Sequence, residues 1–270
     1  MNIIAESSSS DDGLLRGKHA VVTGASRGIG AAIAAALARR GADVTLMSRN
    51  ESRLAEQAAA LMKTFNAKTQ AIAMDIARPE QVSAAFVRAA DRFGPPQILI
   101  NNAGAAMAAP IGKTDLAKWL GMLEVNLTGA FLCIRAVVQQ MAKDDYGRIV
   151  NVASTAGLTG YAYVTAYCAA KHGLIGLTRA LARELAHTGV TVNAVCPGYT
   201  DTDIVAEAVG NIATKTGRTP EQALKELTVH NPQGRLVRPE EVAETVGWLC
   251  LPSSASITGQ SIVVAGGELM

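Results

Sequence analysis

The chain has 270 residues, of which 49% are hydrophobic and 18% charged, enough apolar material for the buried core of one large domain. A formal net charge of +2 without a basic run excludes an electrostatic nucleic-acid footprint, and an aromatic share of 4% argues against a base-stacking surface. Cys133, Cys168, Cys196 and Cys250 form no Cys-x-x-Cys pair and the four histidines are scattered, so neither a zinc site nor a disulfide framework is expected.

Residues 1–15 read as a flexible tail. The run Ser7-Ser8-Ser9-Ser10-Asp11-Asp12 is polar, and nothing there resembles a secretory signal. No apolar run reaches the length needed to span a bilayer, so a soluble cytoplasmic protein is the expectation. From residue 16 the chain alternates short apolar runs with longer helical stretches. Strands are expected at 19–23, 44–47, 69–74, 98–100, 148–152, 190–195 and 261–264. Helices are expected at 29–40, 51–65, 79–93, 115–141, 166–187 and 240–251, with a helical insertion at 203–229. Gly41 and Gly94 act as stops, and Pro79 opens a helix where proline is tolerated. The strands are apolar on both faces, the pattern of a parallel sheet covered by helices on both sides. The expected fold is a single α/β domain over 16–270, a doubly wound (Rossmann-type) sheet of seven parallel strands.

The first strand runs into Thr23-Gly24-Ala25-Ser26-Arg27-Gly28-Ile29-Gly30 and then directly into helix. Glycines there let the backbone approach a pyrophosphate, and the helix N-terminus offers free amides and a positive dipole end. The turn is not a P-loop, because no Lys-Ser or Lys-Thr follows the last glycine. The second strand ends Ser48-Arg49-Asn50, with no carboxylate before Glu51. A carboxylate there would select NAD by accepting from the ribose 2′-hydroxyl. Arg49, Arg27 and Ser48 instead suit a 2′-phosphate, so NADP is expected in preference to NAD.

Tyr167 and Lys171 stand four residues apart in a helical stretch and so share one face. A cation beside a phenol stabilises the phenolate, which makes the pair a candidate acid/base for an alcohol or carbonyl.

In the order and spacing of these motifs the chain resembles the short-chain dehydrogenase/reductase family, over nearly everything after Leu15. The resemblance rests on Thr23 to Gly30, the run Asn101-Asn102-Ala103-Gly104, then Asn126, Ser154, Tyr167-x-x-x-Lys171, Pro197-Gly198 and Thr202. It implies Tyr167 as catalytic acid/base and Ser154 as hydrogen-bond partner of the substrate oxygen. Lys171 would lower the Tyr167 pKa and hold the nicotinamide ribose, and Asn126 would anchor a relay water. Gly24, Ser26, Arg27, Gly28, Ile29 and Gly30 would cradle the phosphates, with Ser48 and Arg49 at the adenosine ribose. The resemblance further places Asp75 and Ile76 at the adenine, Asn102, Ala103 and Gly104 beneath the ribose, and Pro197, Gly198, Thr200 and Thr202 around the nicotinamide. It also implies a homotetramer. Ala265 departs from the family's pattern, because an acidic or amide residue often precedes the two glycines there.

The texture around Asn193-Ala194-Val195-Cys196-Pro197-Gly198 and Asn231-Pro232-Gln233-Gly234-Arg235 resembles 3-oxoacyl thioester reductases. A small-molecule carbonyl or alcohol, carried as an acyl thioester in the leading reading, is the expected substrate, with residues 200–235 as a lid over it. Two alternatives stay open. One is an NAD-dependent dehydrogenase of another secondary alcohol or hydroxy acid. The other is a non-catalytic nucleotide sensor, disfavoured because a binding module needs no acid/base set.

Overall fold

The computed structural model describes residues 13–269, so the expected tail up to Asp12 lies outside the described residues. The packed chain begins before residue 16: Leu15 is fully buried, and its N–H donates to the Arg40 carbonyl at 2.9 Å.

The elements follow in strict alternation at first: β1 (His19–Thr23), α1 (Gly28–Arg39), β2 (Asp43–Ser48), α2 (Glu51–Phe65), β3 (Thr69–Ala73), α3 (Pro79–Phe93) and β4 (Ile98–Asn101). Then come α4 (Leu116–Leu123), α5 (Gly129–Lys143), β5 (Gly147–Val152), α6 (Thr165–Glu184) and β6 (Val190–Pro197). The chain closes with α7 (Asp203–Thr216), α8 (Pro220–Thr228), α9 (Pro239–Leu249) and β7 (Ser261–Val264). All seven strands are parallel in one sheet of order β3-β2-β1-β4-β5-β6-β7. The order reverses between β1 and β4, and the crevice beyond the strand carboxyl ends at such a switch is where α/β sheets bind ligands.

β1, β4, β5 and β6 are buried along their whole length, which is why they read as mostly apolar on both faces. On one face α1 and α9 cover the sheet through Ile33, Leu37, Val242 and Val246. Ala34, Ala36 and Ala38 are small enough to let α1 lie close. On the other face Phe86 of α3, Val137 of α5 and Leu181 of α6 form the second layer. A buried polar ladder ties α6 to the sheet. Asn101 Nδ2 donates to Asn151 Oδ1, and Asn151 Nδ2 donates to Thr178 Oγ1, each at 2.9 Å.

Two expectations are corrected. The helix expected over 115–141 is interrupted, since a π-helical turn at Glu124–Thr128 joins α4 to α5. Composition alone does not reveal such a widened turn, because one extra residue in a single turn leaves no periodic signal of its own. The stretch 116–143 also passes, by length and composition, for a membrane span, contrary to the sequence expectation. In the fold, α5 spends its apolar stripe on α3 and the sheet through Cys133, Ile134, Val137 and Met141. The expected helical insertion consists of two helices. Gly217 (φ +70°) ends α7 in the left-handed region, and a Thr219–Gln222 capping box starts α8.

Candidate active site

The turn between β1 and α1 is built for close approach. Gly24 (φ +66°) and Gly28 (φ +55°) adopt left-handed backbone. A Cβ on Gly30 would lie 2.3 Å from the Gly24 carbonyl oxygen, and one on Gly24 would lie 2.8 Å from Asn102 Nδ2. Asn102 braces this turn, donating to the carbonyls of Thr23 and Gly24 at 3.0 and 3.3 Å. Thr23 Oγ1 accepts in return from the Asn102 and Ala103 amides at 3.0 Å each. The N-cap residue Arg27 makes no side-chain cap bond, so the first amides of α1 face the crevice unsealed. Ser26 is half-buried beside them, and Ile29 packs on the core below.

At the end of β2, Ser48 Oγ is buried and has no hydrogen-bond partner among the described residues. Buried polar atoms are seldom left so, and an orphan hydroxyl at the crevice marks a place for a ligand oxygen. Arg49 follows it, exposed and in no salt bridge among the described residues. Arg27 is engaged already, in an ion pair with Asp203 at the start of α7. One oxygen of Asp75 accepts from the Ala77 amide at 3.0 Å, and the Asp75 amide donates to Gln81 at 2.8 Å. The Ile76 side chain turns inward, where a Cβ on Gly129 would lie 2.5 Å from it. These features together, a cradle without room for Cβ, an uncapped helix start and an orphan hydroxyl, fit a dinucleotide.

Ser154, Tyr167, Lys171 and Asn126 come together at the carboxyl ends of β4 and β5. Ser154 caps the short turn Thr155–Gly157, its Oγ accepting from the Ala156 amide at 3.1 Å. A Cβ on Gly157 would lie 2.8 Å from the Lys171 carbonyl, so glycine lets this turn lie against α6. Tyr167 keeps part of its surface accessible, but burial pushes its phenol up to about 12, while a hydrogen bond with Ser154 acts the other way. Lys171 is buried, its Nζ donates to the Val152 carbonyl at 2.9 Å, and it lies 5.6 Å from the Tyr167 ring centre. Burial draws its pKa down to about 8. The expected lowering of the Tyr167 pKa by Lys171 is not seen in the free protein, where desolvation dominates.

Asn126 sits in the π turn and is 1% exposed. Its carboxamide clasps Ala105, accepting from the amide at 3.2 Å and donating to the carbonyl at 2.9 Å. Between Asn126 and Lys171 lies Gly104. A Cβ there would be 2.8 Å from Asn126 Oδ1 and 3.7 Å from Lys171 Nζ. Thr200 is buried and donates to the Gly198 carbonyl at 3.0 Å. Thr202 leans over the glycine turn, 3.1 Å from where a Cβ on Gly28 would be. The segment from Pro197 thus closes the crevice opposite the cradle.

Sequence reasoning missed a second polar group beside these residues. Tyr161, Thr155, Tyr199 and Glu268 line the wall next to Ser154. The Tyr161 and Tyr199 rings meet edge to face at 6.4 Å, and the Tyr161 hydroxyl lies 2.9 Å from Thr155 Oγ1 and donates to Glu268. Tyr161 carried no motif, and Glu268 comes from the far end of the chain. The adjacency of Thr155 to Ser154 was the one available signal.

A family model for short chain dehydrogenase matches residues 18–212, and the chain belongs to the short-chain dehydrogenase/reductase family. It is an oxidoreductase that uses a nucleotide cofactor and a small-molecule substrate. The 3-oxoacyl-(acyl-carrier-protein) reductase FabG of Pseudomonas aeruginosa is 38% identical over 256 residues, covering 95% of this chain and 99% of that protein. A D-beta-hydroxybutyrate dehydrogenase of Rhizobium meliloti is 36% identical over 254 residues, covering 93% and 98%. Among solved structures, an actinorhodin polyketide ketoreductase with NADPH superposes with a TM-score of 0.89 at 36% identity, covering 93% of this chain and 97% of that one.

Proposed function

We propose that the protein is an NADP(H)-dependent reductase of 3-oxoacyl thioesters, with Ser154, Tyr167, Lys171 and Asn126 as its catalytic residues. The observation that carries the reading is the Ser154–Tyr167 hydrogen bond backed by a buried Lys171, set opposite the glycine cradle. The FabG and ketoreductase relatives support the substrate class.

When bound, the reduced nicotinamide would supply the hydride that the carbonyl carbon accepts. The chain's part is position and proton. Ser154 and Tyr167 direct two hydroxyls at the substrate oxygen, where negative charge develops. With its pKa near 12, Tyr167 is fully protonated at neutral pH and gives its proton to that oxygen. Lys171, drawn down to about 8, is close to working pH and refills Tyr167, with the Asn126–Ala105 corner holding the entry for water. The balance is one carbonyl, one hydride and one proton to one alcohol. Gly24, Ser26, Gly28 and Gly30 would hold the pyrophosphate, Ser48, Arg49 and Arg27 the 2′-phosphate, and Asp75 and Ile76 the adenine. Asn102, Ala103 and Gly104 would floor the ribose, and Pro197, Gly198, Thr200 and Thr202 the nicotinamide. Residues 200–235 would form the lid, and the protein would work as a cytoplasmic homotetramer.

Initial rates test this on a panel of 3-oxoacyl thioesters, simple ketones and hydroxy acids, each with both cofactors. Thioester reduction with NADPH should be fastest. A faster reaction of NAD with hydroxy acids would favour the second reading, which the hydroxybutyrate dehydrogenase relative supports.

A further inference from the structure

Glu268 is the charged group beside the site that the mechanism leaves unused. Beyond β7 the chain reverses through Gly266 (φ +62°) and Gly267 (φ +94°), which adopt the backbone that glycine favours. Glu268 is thereby carried back over the end of β6. Its Oε2 lies 2.7 Å from where a Cβ on Gly198 would be, so a side chain at 198 would displace it. Its Oε1 accepts from the Tyr161 hydroxyl. Thr155 Oγ1, 2.9 Å from that hydroxyl, ties the arrangement to the residue next to Ser154. Among the described residues Glu268 forms no salt bridge, so its charge is not neutralised by the chain.

We infer that Glu268 is a specificity-determining carboxylate, which disfavours anionic carbonyl substrates and passes neutral acyl esters and thioesters. This rests on the 3-oxoacyl reading above and names the form of substrate it admits. The physical reason is short. A substrate oxygen placed between Ser154 and Tyr167 puts the remainder of the acyl chain along Thr155, Tyr161 and Tyr199. A free 3-oxo acid carries its carboxylate two carbons from the reacting carbonyl and brings a second negative charge to that wall. Like charges there repel with little screening, because the wall is partly closed to water. In a thioester that position is a neutral carbonyl, and the repulsion vanishes. Tyr161 holds the carboxylate aimed, and Gly198 leaves it room.

The test compares kcat/KM for acetoacetate and for acetoacetyl-N-acetylcysteamine with NADPH, in the wild type and in Glu268→Gln. Glutamine keeps the length and an acceptor for Tyr161 but removes the charge. The ratio of acetoacetate to thioester should rise about tenfold or more in the variant. A ratio unchanged by the substitution overturns the inference while leaving the thioester reading intact. Wild-type protein that reduces the thioester with neither cofactor overturns that reading, and this inference with it.

Discussion

The Arg27 guanidinium is salt-bridged to the Asp203 carboxylate, which links the start of α1 to the start of α7. Both side chains are about half exposed, at 50% and 57%. Such a pair is worth little by itself, but it occupies the cation expected to meet a 2′-phosphate. Cofactor and α7 therefore compete for one guanidinium. Asp203→Asn is expected to tighten NADPH by up to about fivefold, the scale of an exposed ion pair, and to leave NADH nearly unchanged. Fluorescence titration of both cofactors checks this. Equal change for the two would remove Arg27 from the 2′-phosphate.

Arg49→Ala should weaken NADPH by about 1.5–3 kcal/mol, the worth of a charge-assisted hydrogen bond, and spare NADH. The motive is the orphan Ser48 hydroxyl with an exposed guanidinium beside it. Steady-state kinetics with the two cofactors separates this from a structural role, which would penalise both alike.

Tyr167→Phe should lower kcat by about 100- to 10,000-fold, because the ring stays and the transferable proton goes. Cofactor affinity should hold. Lys171→Ala should differ in kind, weakening cofactor binding as well as turnover. Turnover of the phenylalanine variant within tenfold of wild type would refute the acid role.

Alkaline stability of the cofactor-free protein should follow Lys171 and Tyr167 in turn. Lys171 stands at about 8 when folded against 10.5 when free, so between those values the unfolded chain binds more protons. The Lys171 contribution therefore rises with pH from about 8, and above about 9 the buried thiols of Cys133, Cys196 and Cys250, all pushed up by burial, oppose it. Tyr167 stands at about 12 against 10.0, so above pH 10 the folded chain binds more protons and stability falls. Urea unfolding from pH 7 to 9 should show the rise, and Lys171→Met should flatten it. A wild-type pH slope between 8 and 9 that Lys171→Met leaves unchanged would contradict the burial of Lys171.

The two insertion helices find their principal partner in each other. Val205 is buried, Ile204 exposed, and Val209 and Ile212 half-buried, so one side of α7 is free to meet an acyl chain. Gly210 and Gly217 have open space where a side chain would be. Backbone amides of 200–235 should exchange fast in the free protein and gain protection with NADP and a substrate analogue. High protection without ligand, unchanged on binding, would make this a fixed hairpin.

Much of this was readable from residue order. The buried parallel strands announce themselves as apolar runs, and the Tyr167–Lys171 pair is a matter of helical spacing. What escaped was either backbone geometry or long-range contact. The π turn at Glu124–Thr128 has no compositional mark, since a widened turn costs no special residue. The bracing of the glycine turn by the Asn102 amide, which reaches the carbonyls of Thr23 and Gly24, is a contact across 79 and 78 positions. Glu268 meets Tyr161 across 107 positions, a distance over which local pattern carries no information.

The π turn has a consequence for how this chain can change length. A π turn holds one residue more than the α ladder around it, and each helical residue turns the chain by about 100°. Removing one residue from Glu124–Thr128 would restore a regular ladder and shorten nothing visible. Because the widened turn already absorbs that extra residue, the inward stripe of Cys133, Ile134, Val137 and Met141 would keep its phase. What the deletion would remove is the irregularity itself, and with it the turn from which Asn126 clasps Ala105.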